Sequence, residues 1–380
     1  MEFIKDLDQI DRGDLLLAGG KGANLGAMIR AGMPIPPGFC VTTAGYRRFV
    51  ETNRLGNAIQ ERLGELKPDD IDALESVSAD IRQLFATAPV PSEIETEIRR
   101  AYREFGGEEK ETPAAAVRSS ATAEDLPDLS FAGQQDTFLN IRGEEDLVNA
   151  VVRCWSSLWT ARAIDYRNRN GISQKEVSLA VVVQAMVQSE VSGVLFTANP
   201  LTGKRTETVI DATLGLGEAL VSGLVEPDHY VVENETIVSK TLGSKSLSIR
   251  GLSGGGTEKI IEDASEIQAL PDEQILALAE IGRKAEAFFG GPQDMEWGLA
   301  GGNLYVLQSR AVTTLYPIPG GFQANPLEAY FSVAGWQGMV DPFSQAGRDI
   351  LLSLVFGLGR AFGIRTTPEN QTILKTAGGR

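Results

Sequence analysis

The sequence predicts an α+β fold, with a helix-rich lobe, a strand-rich lobe, a ligand cleft between them and a further segment beyond a linker. Three observations lead there. Helical periodicity dominates residues 44–105 and 144–169, stretches rich in Val, Ile and Thr crowd residues 177–242, and Pro317, Pro319, Gly320 and Gly321 punctuate the chain after both. Segregated helices and strands pack as α+β layers, and a cleft between two lobes is a natural ligand site.

In chain order, Gly19-Gly20-Lys21-Gly22 reads as a glycine turn opening a helix that ends near Gly32. Prolines 34, 36 and 37 then break the chain before a short strand at 39–42. Helices are clearest at 69–85 and 91–105, each starting with Pro and acidic residues suited to a helix start. Residues 114–118 form a strand that runs into a long polar loop, 119–135, followed by a strand at 137–141. Residues 144–169 read as one long amphipathic helix, with Trp155 and Trp159 on its core face. Strands are expected at 177–187, 191–197, 206–213, 230–232 and 237–242. Leu252-Ser253-Gly254-Gly255-Gly256 reads as a flexible loop, and Gly215-Leu216-Gly217-Glu218 as a helix entry. A helix at 272–289 precedes a hairpin of 293–299 and 303–310 around Ala300-Gly301-Gly302.

Composition narrows the partners. The chain has 380 residues, a length that suits two or three domains. At 42% apolar residues it can fill packed cores, and a formal charge of −16 with no basic run argues against nucleic acid and anionic membrane. The N-terminus has no apolar signal core, and no stretch is long enough to span a membrane. Cys40 and Cys154 belong to no CxxC pair, as expected of reduced core thiols in a cytoplasmic protein.

Three segments carry chemistry. Around Lys21, glycines let the backbone approach phosphate oxygens, and a helix start adds N–H groups and a positive dipole end. The segment lacks the GxxxxGK[ST] spacing of a Walker A loop, and a plain surface turn fits it as well. Arg118, at the end of a strand and followed by Ser119, Ser120 and the long loop, suits a flap over phosphates or an ordinary surface loop. In the terminal hairpin, a turn centred on Gly302 sets Glu296 opposite Gln308 and Asp294 opposite Arg310, all on one face. Paired oxygens from adjacent strands suit Mg²⁺, with Arg310 one pleat on to meet a phosphate. A cross-strand Asp–Arg pair alone is the simpler alternative. The single histidine, His229, follows Glu226-Pro227-Asp228 at a strand start and reads as a surface or packing residue.

Together these segments resemble the nucleotide domain of the phosphoenolpyruvate synthase and pyruvate phosphate dikinase family. The blocks are Gly19-Gly20-Lys21-Gly22-Ala23-Asn24-Leu25-Gly26, Val117-Arg118-Ser119-Ser120-Ala121-Thr122-Ala123-Glu124-Asp125, Phe131-Ala132-Gly133-Gln134, Ser192-Gly193-Val194-Leu195-Phe196-Thr197, Asp294-Met295-Glu296-Trp297 and Gln308-Ser309-Arg310, continuous from about residue 5 to 316. The resemblance implies an ATP-grasp fold with lobes at 1–188 and 189–316, the nucleotide in the cleft, and a linker and partial helical segment at 317–380 that starts an acceptor-binding-like domain. It implies that Lys21, Arg118 and Arg310 hold phosphates as the catalytic cations, with Gly133 and Thr137 in a covering loop. Gln184 would lie near adenine and ribose, and Glu296 and Gln308 would bind Mg²⁺. In the family ATP is split to AMP and phosphate, with one phosphoryl passing through a histidine on a separate swivelling domain.

Within that superfamily, residues 308–317 look most like rifampin phosphotransferases, with Ala311 where a proline is usual and a looser match after residue 320. The acceptor implied is a rifampin-like antibiotic, the alternative being pyruvate in a phosphoenolpyruvate synthase. A further alternative is a regulatory module that senses ATP without transfer. The Gly-rich Ser-His or Cys-His carrier motif does not occur in this sequence. The chain is therefore expected to be the front part of a larger protein, or a module served by a histidine domain in trans. The apolar helix expected at 350–362 has no evident core of its own.

Overall fold

The structure, a computed structural model, describes residues 2–64, 66, 70–105, 113–122, 125–126, 129–130, 136–175, 177–261, 263–315 and 350. The chain divides into two compact units, Met1–Thr313 and Thr314–Arg380. The architecture below is that of the first. Gly133 and the expected helix after residue 350 lie outside the described residues.

The first part of the unit contains β1 (Ile4–Asp6), α1 (Leu15–Arg30), β2 (Gly38–Val41), α2 (Thr43–Thr52), α3 (Leu55–Gly64), α4 (Ile71–Thr87) and α5 (Ser92–Phe105). It continues with β3 (Ala115–Ala121), a short ribbon of β4 (Asp125–Leu126) and β5 (Leu129–Ser130), then β6 (Thr137–Ile141), α6 (Glu144–Ser157), α7 (Ala161–Arg169) and β7 (Leu179–Ala185). Five strands form one antiparallel sheet in the order β1-β2-β7-β3-β6. Central β7 is buried on both faces, which explains the apolar run at 179–183. Val181 and Val183 join the core under α2–α7, whereas Ala180 and Val182 join the core that contains Leu25 and Met28 of α1. The period of two in the sequence thus separates two cores.

The second part contains β8 (Val191–Phe196), β9 (Glu207–Leu214), α8 (Glu218–Val221), β10 (Asp228–Glu233), β11 (Thr236–Thr241), β12 (Leu247–Gly251), β13 (Thr257–Ile261), α9 (Asp272–Phe289), β14 (Gln293–Ala300) and β15 (Asn303–Ala311). Six of these strands form a second antiparallel sheet, β11-β10-β9-β8-β14-β15. Leu195, Ile210 and Met295 of this sheet share a core with Ile275, Leu278 and Ala279 of α9 and with Leu25 and Met28 of α1.

Two sequence expectations need correction. The expected single helix over 144–169 is two. Thr160 adopts an extended backbone (φ −64°, ψ 150°) and caps α7 by accepting from Ala163 N at 3.3 Å. Such a side-chain cap gives a chain already long enough for helix a reason to restart. Trp155 and Trp159 are 0% and 3% exposed, so their core role survives the break. The glycine-rich loop after Leu252 is instead the turn of a hairpin, β12–β13, which the sequence reading missed. Asn140 holds it from outside, donating to Leu252 O at 2.7 Å and Gly256 O at 2.6 Å.

A buried ion pair anchors the second sheet. Asp228 and Lys245 are each 0% exposed and in contact. Asp228 Oδ1 also accepts from Gly243 N at 2.9 Å, and Oδ2 accepts from Ala269 N at 2.7 Å and Tyr230 OH at 2.8 Å. With its carboxylate oxygens thus engaged, the charge is tolerated in the interior.

Candidate functional site

The helix that carries Lys21 is kinked. Gly19 has φ 68° and ψ 177°, a backbone region open essentially to glycine, and it separates a first helical turn from the rest of α1. A Cβ there would lie 2.1 Å from Ser120 O. Ser120 exploits the approach, since its Oγ donates to Ala18 O at 2.7 Å and accepts from Gly22 N at 3.1 Å. The kink thereby restarts a helix whose N-terminus, with Lys21 on it, is fixed against β3.

Arg118 sits on β3 two residues earlier and is 7% exposed. Its guanidinium reaches across to the β14–β15 hairpin of the other sheet. Nη1 donates to Leu307 O at 2.6 Å, while Nη2 donates to Glu296 Oε2 at 2.8 Å and Gln308 Oε1 at 2.7 Å. Thr137 is its cross-strand neighbour on β6.

The hairpin pairs Glu296 with Gln308 and Asp294 with Arg310, as the sequence suggests, but by a different route. The turn is the two-residue Gly301-Gly302, with φ 55° and 78°, pairing Ala300 with Asn303. Positive φ at both positions is the geometry that suits the twist of a tight hairpin. Carried along unbroken, this register would put Gln308 opposite Met295 and Arg310 opposite Gln293. A bulge intervenes, because Trp297 pairs with Val306 and Glu296 with Gln308, leaving Leu307 as the extra residue. The bulge restores the polar face and frees the Leu307 carbonyl that Arg118 takes. Arg310 lies 2.7 Å from Asp294. Burial pushes the Asp294 carboxyl above its ordinary range, the Arg310 charge and hydrogen bond oppose that, and Glu296 adds to it.

These groups line one cavity of about 580 Å³. Lys21, Arg118, Thr137, Gln184, Glu296, Gln308 and Arg310 all contribute to its wall. Of the site residues that the resemblance implies, only Gly133 is missing from this set, and it lies outside the described residues. Gln184 is 2% exposed and its Nε2 donates to Pro36 O at 3.3 Å. The wall also includes Met186, Val187 and Ser189 after β7, Gly193 on β8, and Gly217, Glu218 and Val221 around α8. Sequence reasoning missed these. The available signal was glycine inside a Val/Leu strand, since a Cβ on Gly193 would lie 1.8 Å from Asp211 O. His229 is not in the wall, and its Nδ1 lies 2.7 Å from Asp211 Oδ1 on the neighbouring strand.

Residues 15–319 match the family described as pyruvate phosphate dikinase, AMP/ATP-binding domain. The chain belongs to this family. It is 46% identical over 349 residues to a rifampicin phosphotransferase of Streptomyces sviceus, covering 91% of this chain and 40% of the relative. A rifampicin phosphotransferase of Bacillus subtilis is 45% identical over 367 residues, covering 95% and 42% respectively. A phosphoenolpyruvate synthase of Pyrococcus furiosus is 43% identical over 361 residues, covering 82% and 44%. The chain therefore spans less than half the length of these family relatives.

Both cysteines are free and buried, and burial pushes the Cys40 thiol up to about 12 and raises that of Cys154. No helix among the described residues is long and apolar enough to cross a membrane.

Proposed function

We propose that this chain is the Mg·ATP-binding part of a dikinase-type phosphotransferase, an ATP-grasp unit whose two sheet-bearing lobes, 1–188 and 189–316, enclose the nucleotide. One observation carries the reading: cations from α1, β3 and β15 share a single cavity with the oxygens of Glu296 and Gln308. Lys21, Arg118 and Arg310 bind the phosphates, Thr137 covers them, and Gln184 lies toward the adenine and ribose.

The donor set suits Mg²⁺. Glu296 Oε2 and Gln308 Oε1 converge within 2.8 Å and 2.7 Å of one guanidinium nitrogen, which stands where positive charge is wanted. Among the described residues no cluster of three His, Cys, Asp or Glu could hold a metal by itself. A carboxylate and an amide oxygen, completed by phosphate and water, is the sparse protein shell that Mg²⁺ accepts. When bound, the ion neutralises phosphate charge and fixes the polyphosphate for attack. The side chains orient the nucleotide, and the walls limit water.

In this reading ATP yields AMP and phosphate, and one phosphoryl is carried by a histidine of another domain, in cis or in trans. His229 does not serve, being tied to Asp211 outside the cavity. The acceptor is a rifampin-like antibiotic, on the pattern of residues 308–317. Pyruvate is the second reading, favoured by the identity to phosphoenolpyruvate synthases. The buried thiols suit a cytoplasmic setting. Calorimetry with ATP, with and without Mg²⁺, tests the core claim. Micromolar binding that needs the metal is expected, and a folded sample giving neither heat nor thermal stabilisation would overturn it. Complementing the chain with a histidine domain, then supplying rifampin or pyruvate, distinguishes the acceptors.

A further inference from the structure

We propose that Arg118 is an internal counter-cation that keeps the metal site of the free chain closed, so that a divalent cation enters only with nucleotide. This rests on the reading of Glu296 and Gln308 as metal ligands and adds a binding order to it.

The geometry is specific. One nitrogen, Nη2, takes both proposed ligand oxygens, and Nη1 takes the carbonyl released by the Leu307 bulge. The side chain of Arg118 is only 9% exposed and that of Glu296 is 33% exposed. A bare cation that takes Glu296 Oε2 together with Gln308 Oε1 must therefore displace a guanidinium that is buried and has these acceptors to lose. Leaving such a charge without partners in the interior is costly. Among the described residues its Nε already has no partner, so little compensation is in reserve on that side.

A nucleotide changes the balance. Its phosphates offer the guanidinium a planar, bidentate anionic acceptor. Arg118 can then leave Glu296 and Gln308 without losing its hydrogen bonds, and the freed oxygens take the cation that arrives with the phosphates. The same contacts join β3 of one sheet to β14 and β15 of the other, so the exchange also releases a tie between the sheets. The glycine turn at Gly301-Gly302 and the bulge thus set two things together, the ligand oxygens and the carbonyl that helps Arg118 cover them.

The test uses Mn²⁺ alone, with no nucleotide, followed by electron paramagnetic resonance on the 380-residue chain. The parent should bind no more Mn²⁺ than Glu296→Gln does. Arg118→Met should bind Mn²⁺ at least ten-fold tighter than the parent, and Arg118→Met with Glu296→Gln should lose that gain. Arg118→Met should at the same time weaken ATP binding, so one substitution moves the two ligands in opposite directions. Equal Mn²⁺ affinity in parent and Arg118→Met, or a gain that survives Glu296→Gln, overturns the proposal. If Arg118→Met does not fold, the parent decides: Mn²⁺ binding that falls on Glu296→Gln means an open site and overturns it, and no difference supports it. Failure of ATP binding by the parent would instead strike the functional reading, because the Mn²⁺ arm contains no nucleotide.

Discussion

Arg310 and Glu296 show what single side chains contribute. Arg310 lines the cavity, whereas Arg100 lies on α5 with a side chain 62% exposed beside Glu104. A charge-assisted hydrogen bond is worth about 1.5–3 kcal/mol. Arg310→Ala should therefore weaken ATP binding about ten-fold or more, and Arg100→Ala should leave it unchanged, as titration calorimetry would read. Equal losses would move the phosphate site elsewhere. Glu296→Ala should remove the Mg²⁺ dependence of ATP binding, since Gln308 alone is neutral. A variant that still needs Mg²⁺ as the parent does would place the metal on other groups. Gly19 is a backbone case. Its positive φ and the 2.1 Å approach to Ser120 O leave no room for a Cβ. Gly19→Ala should cost about 3 kcal/mol or more through strain and overpacking. Gly64→Ala, where nothing lies within 4 Å among the described residues, should be neutral or slightly stabilising. Chemical denaturation compares the two.

Among elements, the β14–β15 hairpin and the β10 anchor make separate claims. At the turn, Gly301 and Gly302 have positive φ but open space around them. Gly301→Ala should cost about 1–2 kcal/mol through conformation alone, with ATP affinity kept if the bulge holds the register. Loss of affinity at matched folding would show that the turn, rather than Leu307, sets the polar face. At β10, Lys245→Met leaves Asp228 charged and buried, and should cost about 3–5 kcal/mol. Lys240→Met, against the mostly exposed Asp272, should change stability little. Similar melting temperatures for both variants would contradict the anchor. At the start of α1, Lys5 lies 2.8 Å from Asp14, and the hydrogen bond to Lys5 holds the Asp14 carboxyl below its ordinary range. A lowered folded pKa stabilises above the unfolded value, near pH 4, and that support fades as pH falls through the folded value. Asp14→Asn should thus cost under about 1 kcal/mol at pH 7, and that cost should shrink as pH falls below about 4. A difference that grows on acidification would reverse the assignment.

For the whole molecule, the family match places AMP/ATP binding in this chain, and the proposed function puts the phosphoryl carrier on another domain. The 380 residues contain one histidine, and it is bound to Asp211 away from the cavity. Incubated with Mg·ATP and rifampin or pyruvate, the chain should form no sustained AMP, and adding a separate histidine domain should restore it. AMP formation by the chain alone, lost on Lys21→Ala and kept on His229→Ala, would reveal a complete site. Much of this organisation was legible beforehand, because helical and two-residue periodicities report burial directly. α9 and β6 begin and end where those patterns do. The break at Thr160 and the β12–β13 hairpin were not legible. The first depends on a cap competing with an intact helical pattern, and the second on Asn140, over a hundred residues away, holding a glycine loop in place.

The sequence by itself determined the residue chemistry, the α+β succession and the hairpin that puts Glu296 and Gln308 on adjacent strands, since local periodicity and turn residues specify element type and where the chain reverses. Only the tertiary structure decided that Arg118 would cross to that pair. It also decided that Leu307 would be extruded to keep the pair on the polar face, and that α8 and Gly193 would close the wall. These depend on the approach of two sheets through α1. Such contacts join residues far apart in the chain, and their energy comes from packing that no local pattern encodes.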